Sequence, residues 1–457
     1  MPGNPTLILL TSMILLQAAW LAGIKLTRAT QRADKLMRVV FYELLLSLFF
    51  LLTSIFAPEI AFARFAVPAG WRLTAQLGLG LLLIFTFFAA IIYSRIQRIW
   101  RFDEQGNLEA AQQFASEGWR RTFLHYTELP WLGYQHPPLI PVLGGIIFRF
   151  FGFRVLLFRL LSVGFMLGVL LVTYLTGVRL YDPFSGFLAV VLCLSFPLFW
   201  RLGCAAMLDM PATFWFGFGL FSILQAQNRD GSWLWLSILA GLVIGLGLLT
   251  RYTLALIYPL LLVLVLLEQV SWMSSMLAVL VSFLVFSAWL IPAYRKKILH
   301  AQFRRLREFS GLKSGYRNPA AGVLSEPVFN LPVLAHSWRW RLRLESLFSR
   351  LPSAIGTYNL PIILVGLTTV LQQMITADKF VLTWISVPFI LLLILLPDHR
   401  YFLPVFPALA LLMAHGLVES AFSIPPVTGL ALLFCLGNLY LFVDWERRRY
   451  LFSWKIG

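Results

Sequence analysis

Apolar residues run in long blocks along this chain, and polar residues are confined to the gaps between them. A helix needs about 20 apolar residues to cross a bilayer. Blocks of that size lie near 6–24, 39–57, 75–93, 155–176, 184–200, 210–227 and 233–250. Others lie near 252–268, 273–292, 353–373, 380–397, 402–420 and 426–443. The pattern predicts an all-α, polytopic transmembrane bundle of about 13 spans. Segment 138–152 is shorter and opens on Pro137-Pro138, so it is expected to be juxtamembrane or re-entrant. Two polar stretches are long, 94–137 and 293–352, and the chain reads as four parts, the first stretch lying within the second part. Residues 1–72 carry two N-terminal spans, 73–292 a core, 293–352 a basic extramembrane loop, and 353–457 the last spans with a short basic tail. Gly241 and Gly245 form a small-xxx-small pair, which points to close helix packing.

Composition makes lipid the solvent for most of the chain. Hydrophobic residues make up 59% and charged residues 12%, against about 25% charged in a soluble domain. Met1–Pro5 has no basic region and 7–24 no small-residue cleavage site, so the first block is expected to be a span, not a signal peptide. Cys193 and Cys435 lie inside apolar runs and Cys204 near the end of one; without a CxxC pair, neither a disulfide framework nor a thiolate metal site is expected.

The net charge of +17 sits in loops between spans. It therefore points to anionic headgroups or a phosphorylated lipid, and not to nucleic acid. Counted over the thirteen-span topology, 29 Lys/Arg fall on the face bearing 94–137 and five on the other. Taken alone, the positive-inside rule makes the first face cytoplasmic.

Ionisable residues at the span ends supply the candidate chemistry. Asp103 and Glu104 close an apolar helix beside Trp100, Arg101 and Phe102. A carboxylate at a low-dielectric boundary is either an interfacial acid paired with Arg98 or Arg101, or a general base. Asp209 abuts the apolar run 210–224, where an acid either snorkels or serves a site. Arg159 and Arg251 are embedded among Leu, Phe and Tyr, and Glu268 is the one acid in the spans from 233 to 292. Such arginines need an anionic partner, and a lipid-linked phosphate would satisfy both. His136 stiffens into a turn before two prolines, and Arg400 either meets a phosphate or pairs with Asp398. There is no GxxxxGK[ST], HExxH or dinucleotide-binding GxGxxG, the signatures of nucleotide-driven transport, zinc proteolysis and dinucleotide binding.

The motifs Phe102-Asp103-Glu104, Gln135-His136-Pro137-Pro138-Leu139, Phe158-Arg159-Leu160-Leu161-Ser162, Leu208-Asp209, Leu249-Thr250-Arg251-Tyr252 and Arg400-Tyr401-Phe402-Leu403-Pro404 occur in this order. The series resembles the GT-C membrane glycosyltransferases, in the branch of protein O-mannosyltransferases and lipid A aminoarabinose transferases. That family has an Asp-Glu pair in its first large loop, then a Lys/His-Pro-Pro-Leu motif and an Arg-Tyr-Leu-x-Pro segment. Gln135 stands where the family often has an acid, Arg251 where it often has Lys, and Gln105-Gly106-Asn107 where Ala-x-Tyr is common.

The resemblance implies a hexosyl- or pentosyltransferase that uses a polyprenyl- or dolichyl-phosphate sugar and a lipid, glycan or protein acceptor. On it, Asp103, Glu104 and Asp209 are catalytic, and His136, Arg159, Arg251 and Arg400 bind the donor phosphate. A divalent metal ion, if one takes part, is expected at Asp103 and Asp209. The family keeps this loop extracytoplasmic, in a plasma, inner or endoplasmic reticulum membrane, which opposes the charge count. A transporter or lipid flippase with arginines lining a pathway is the rival reading, and a non-catalytic relative is a third.

Overall fold

The computed structural model describes residues 71–97, 103–118, 120–122, 136–227, 232–295, 350–356, 359–395 and 398–421. The windows at 6–24, 39–57 and 426–443, and most of the basic loop, lie outside the described residues. Among the described residues every regular element is a helix. In hydrocarbon, backbone groups have no water to bond, and a helix satisfies them within one segment.

The helices are α1 (Trp71–Ile96), α2 (Asp103–Glu117), α3 (Leu139–Phe151), α4 (Val155–Leu180), α5 (Pro183–Leu194), α6 (Pro197–Gly203) and α7 (Asp209–Gln225). They continue with α8 (Trp233–Leu248), α9 (Ile257–Leu266), α10 (Trp272–Arg295), α11 (Leu351–Ile355), α12 (Leu360–Gln373), α13 (Thr376–Leu395) and α14 (Phe406–Ala421). Tight 3-10 turns, Tyr252–Leu256 and His399–Val405, lead into α9 and α14. Five segments among the described residues are long and apolar enough to cross a membrane: Ala75–Ile96, Val155–Leu180, Trp272–Ile291, Thr376–Leu395 and His399–Glu419.

Three windows are broken. The block at 184–200 bends by 76° between α5 and α6. Pro197 cannot donate to the preceding turn, and it pushes Phe196 into extended backbone at φ −82°, ψ 116°. The block at 353–373 is interrupted after α11 by Gly356, whose φ of +90° lies where side chains are strained. The block at 252–268 begins as a 3-10 turn after Arg251, which is extended at φ −158°. Segment 138–152 forms a 13-residue helix, α3, too short to span.

Consecutive long helices run antiparallel, so their ends collect in two layers. One layer gathers the C-terminus of α1, the start of α2, the start of α4, loop 204–208, Arg251 and the 398–401 turn. α3 lies along the buried side of α2. Gly145 permits this, because a Cβ there would stand 2.5 Å from the Phe114 Cβ. Gly241 and Gly245 act as the spacing predicts: a Cβ on Gly241 would meet the Ala278 carbonyl of α10 at 2.6 Å. The outward face of α1 presents Leu77, Leu81, Phe85, Phe88 and Ile92.

The opposite layer is closed by a polar cluster. Asp378 is fully buried and accepts from the Tyr181 hydroxyl at 2.9 Å and from the Ile375 N–H at 3.0 Å. His415 stacks on Tyr181 at 4.1 Å and lies 3.5 Å from the same carboxylate. Three helices are thereby joined where α4, α13 and α14 meet. Replacing Asp378 with Leu leaves a buried donor on each side without an acceptor, at roughly 1–3 kcal/mol each. The Asp378→Leu variant should therefore unfold at a clearly lower temperature in detergent; an unchanged midpoint would show that the cluster does not hold the helices together.

Candidate active site

The carboxylates of Asp103 and Asp209 each sit in the first turn of a helix, where the helix dipole favours negative charge. What brings the two helix starts together is Glu104. Its buried face neighbours on α2 are Asn107, Leu108, Ala111 and Phe114, at helical spacing. The Glu104 Oε1 accepts from the Ala206 N–H at 2.8 Å, and Asn107 donates to the Ala206 carbonyl at 3.1 Å. α2 is thus pinned to the loop that leads into Asp209. Ser94 and Gln97, at the end of α1, donate to the carbonyls of Cys204 and Arg201, at 3.3 and 3.0 Å.

Arg159 completes this joint. Its Nε and Nη2 donate to the two Glu104 oxygens at 2.7 and 3.0 Å, a bidentate pair whose side chains are 3% and 0% exposed. Its Nη1 donates to the carbonyls of Ser94 and Gln97, at 2.5 and 2.7 Å. Arginine fits here because its planar fork can serve a carboxylate and two carbonyls at once.

Arg251 also has an acidic partner. Its Nη1 donates to Asp209 Oδ1, and its guanidinium lies 4.5 Å over the Tyr401 ring. The arginines expected to want for acids within their own spans draw them from other segments, Glu104 for Arg159 and Asp209 for Arg251. Glu268 stands in an exposed turn with a φ of +56°.

Arg400 bridges two carboxylates. Its Nη1 donates to Asp103 Oδ2, while Nε and Nη2 donate to Asp398 Oδ2 at 3.3 and 3.2 Å. Asp398 also caps the 3-10 turn by accepting from the Arg400 N–H at 3.1 Å, and His399 Nδ1 lies 3.0 Å from it. Burial works to raise the Asp398 pKa, but the His399 hydrogen bond and the neighbouring Arg400 charge hold it well below the usual carboxylate range. The pairing with Asp398 expected as the alternative to a phosphate is therefore present, and beside it stands one with Asp103 that was not expected. The interfacial pairing of Asp103 with Arg98 or Arg101 falls on residues outside the described set.

His136 opens the stretch that leads into α3. The Leu139 N–H donates to the Leu249 carbonyl at 3.1 Å, which ties the His-Pro-Pro-Leu motif to the segment carrying Arg251. Five of the six motifs thus share one end of the bundle with the sixth, Phe158–Ser162, beneath them as a strut. Asp398 was expected only as a partner for Arg400, and Tyr401 and Asn107 were quoted only within motifs, with no role; Tyr401 adjoins Arg400, and Asn107 stands one turn from Asp103. Asp103 and Asp209 each hold an arginine, and among the described residues no group of three or more His, Cys, Asp or Glu is placed to hold a metal ion. In this arrangement the donor set does not fit a divalent cation.

Residues 135–292 match the family model described as dolichyl-phosphate-mannose-protein mannosyltransferase. No curated protein matches the sequence. The fold is similar to that of ArnT from Cupriavidus metallidurans bound to undecaprenyl phosphate, with a TM-score of 0.55 and 16% identity, over 77% of this chain and 60% of that one. It is also similar to the oligosaccharyltransferase AglB from Archaeoglobus fulgidus in complex with an inhibitory peptide and a dolichol-phosphate. There the TM-score is 0.51 and the identity 13%, over 82% of this chain and 56% of that one. The chain spans three fifths or less of the length of these structures. The expected all-helical membrane bundle is the fold of the described residues, and it is the fold these structures share.

Removing one partner of the buried Glu104–Arg159 pair leaves an uncompensated charge, at about 3–5 kcal/mol, whereas replacing both with apolar residues is often near neutral. Arg159→Met should therefore lower the unfolding midpoint in detergent more than Glu104→Met/Arg159→Met does. A double variant that is less stable than the single one would show that the pair does not act as a unit.

Proposed function

We propose that this protein is an inverting membrane glycosyltransferase that moves a hexosyl or pentosyl unit from a polyprenyl- or dolichyl-phosphate donor to a lipid, glycan or protein acceptor. The observation that carries this reading is the meeting of Asp103 and Asp209 with Arg400 and Arg251 at one end of the bundle. Two carboxylates and two guanidiniums at a membrane boundary suit a reaction in which an acceptor loses a proton and a lipid phosphate gains charge. The family match over 135–292 and the shared fold support it. So do the undecaprenyl phosphate and dolichol-phosphate named for the two similar structures. A transporter would place such a site near the midplane, between repeats.

Asp103 is assigned the acceptor. Its side chain remains about a quarter exposed, so a hydroxyl or amine can reach it. The acceptor atom bonds to the anomeric carbon as the bond from that carbon to the phosphate oxygen breaks. Asp103 receives the proton, and the lipid phosphate departs with one further negative charge. Arg251 and Arg400, with His136 on the adjoining stretch, are assigned that phosphate, where donors aimed at developing charge lower the barrier most. Asp209 orients Arg251. Arg159 is reassigned from phosphate ligand to support, because Glu104 and two backbone carbonyls take up its Nε, Nη1 and Nη2 groups. Glu104 acts with it, holding Asp103 against the second loop.

The side of the membrane follows from the donor. Lipid-phosphate sugars of this class are presented on the extracytoplasmic leaflet, so we assign the site to that face against the 29-to-5 charge count. The positive-inside rule is calibrated on short loops, and the twelve cations of 293–352 lie at its length limit.

Asp103→Asn should insert and fold normally while lowering transfer at least about a hundredfold, the low end for a positioned base. Near-normal turnover with a lipid-phosphate sugar would remove Asp103 from the reaction. For orientation, Gln112 is exposed on α2. Gln112→Cys, in a background without the three native cysteines, should react with an impermeant thiol reagent in intact cells. Labelling only after permeabilisation would place the site in the cytoplasm.

A further inference from the structure

The two ion pairs at the site are unequal. Arg251 and Asp209 are 8% and 3% exposed, and Arg251 is also held on the Tyr401 ring. Opening that pair would strand desolvated charges. Arg400 and Asp103 are 20% and 24% exposed, within reach of water, where an ion pair contributes little. Arg400 also has a fixed pivot. Asp398, two residues away, holds its Nε and Nη2 edge and its backbone N–H. The Nη1 contact to Asp103 is the one made across to another segment, and the one that can be exchanged.

We propose that Asp103 and the donor phosphate compete for the same edge of Arg400, so that lipid-phosphate binding releases the base. The inference rests on the lipid-phosphate reading above. Three carboxylates, Asp103, Asp209 and Asp398, already face two arginines here. An incoming phosphate cannot share the Arg400 edge with Asp103 without placing two anions side by side. It takes the edge over, and Arg400 swings on Asp398. Freed of its cation, the Asp103 carboxylate is a stronger base, and it becomes so only with donor in place. After transfer the proton rests on Asp103, which no longer competes, while the lipid monophosphate carries the added charge and holds Arg400. Loss of that proton lets Asp103 recapture Arg400 and favours release.

A double-mutant cycle tests this with a long-chain polyprenyl monophosphate as the probe, titrated onto the full-length protein in detergent. Asp103→Asn should bind the probe more tightly than wild type, by roughly two- to fivefold, the range of a partly exposed ion pair. Arg400→Gln should bind it more weakly, and adding Asp103→Asn to that variant should change nothing further. No tightening in Asp103→Asn, or equal tightening in both backgrounds, overturns the exchange and leaves the lipid-phosphate site in place. Failure of the wild-type protein to bind the probe overturns the lipid-phosphate reading itself. If Arg400→Gln does not fold, Arg400→Lys takes its place. Its single ammonium cannot hold Asp398 and reach Asp103 with a separate edge, so Asp103→Asn should tighten binding less in that background than in wild type.

Discussion

A charged pair that lipid cannot solvate, Glu104 with Arg159, holds together the end of the bundle where the motifs meet. Each ion alone would cost several kcal/mol to bury. The Ala206 N–H and the Ser94 and Gln97 carbonyls share the load with the partner charge. The joint therefore connects the end of α1, the start of α2, the start of α4 and the second loop. None of these segments could shift without stranding a charge or a backbone group. Asp103 precedes Glu104 by one residue, and Asp209 follows Ala206 by three. The separation of the two carboxylates is thus set by the joint built on Glu104 and Arg159.

Above this rigid joint the remaining charges are graded by depth. Arg251 and Asp209 are shielded and stacked on Tyr401, while Arg400 and Asp103 stand nearer to water. Burial withdraws the first pair from solvent, while partial exposure leaves the second within reach of water. At the far end of the bundle, Tyr181, Asp378 and His415 meet the same constraint with a hydroxyl hydrogen bond and a stacked ring. The charged side chains of both clusters lie at the ends of the described helices, and buried hydroxyls along their length, such as Thr173 and Thr369, are satisfied by carbonyls one turn back.

Long apolar blocks were legible because one helix crossing a bilayer imposes a length and composition that no neighbour can alter. Composition therefore determined the membrane, the helical class and the brevity of α3, and motif order pointed to Asp103, Asp209, His136 and the arginines. The breaks at Pro197 and Gly356 were written in the chain as proline and glycine, but an apolar average runs across them. Tertiary structure alone decided which charges meet. Arg159 finds Glu104 across 55 residues, Arg251 finds Asp209 across 42, and Arg400 finds Asp103 across 297. A buried arginine announces that it needs an anion, yet its sequence neighbours do not say which. The partner is chosen by helix packing, which buried the first of these pairs completely, shielded the second and left the third partly exposed.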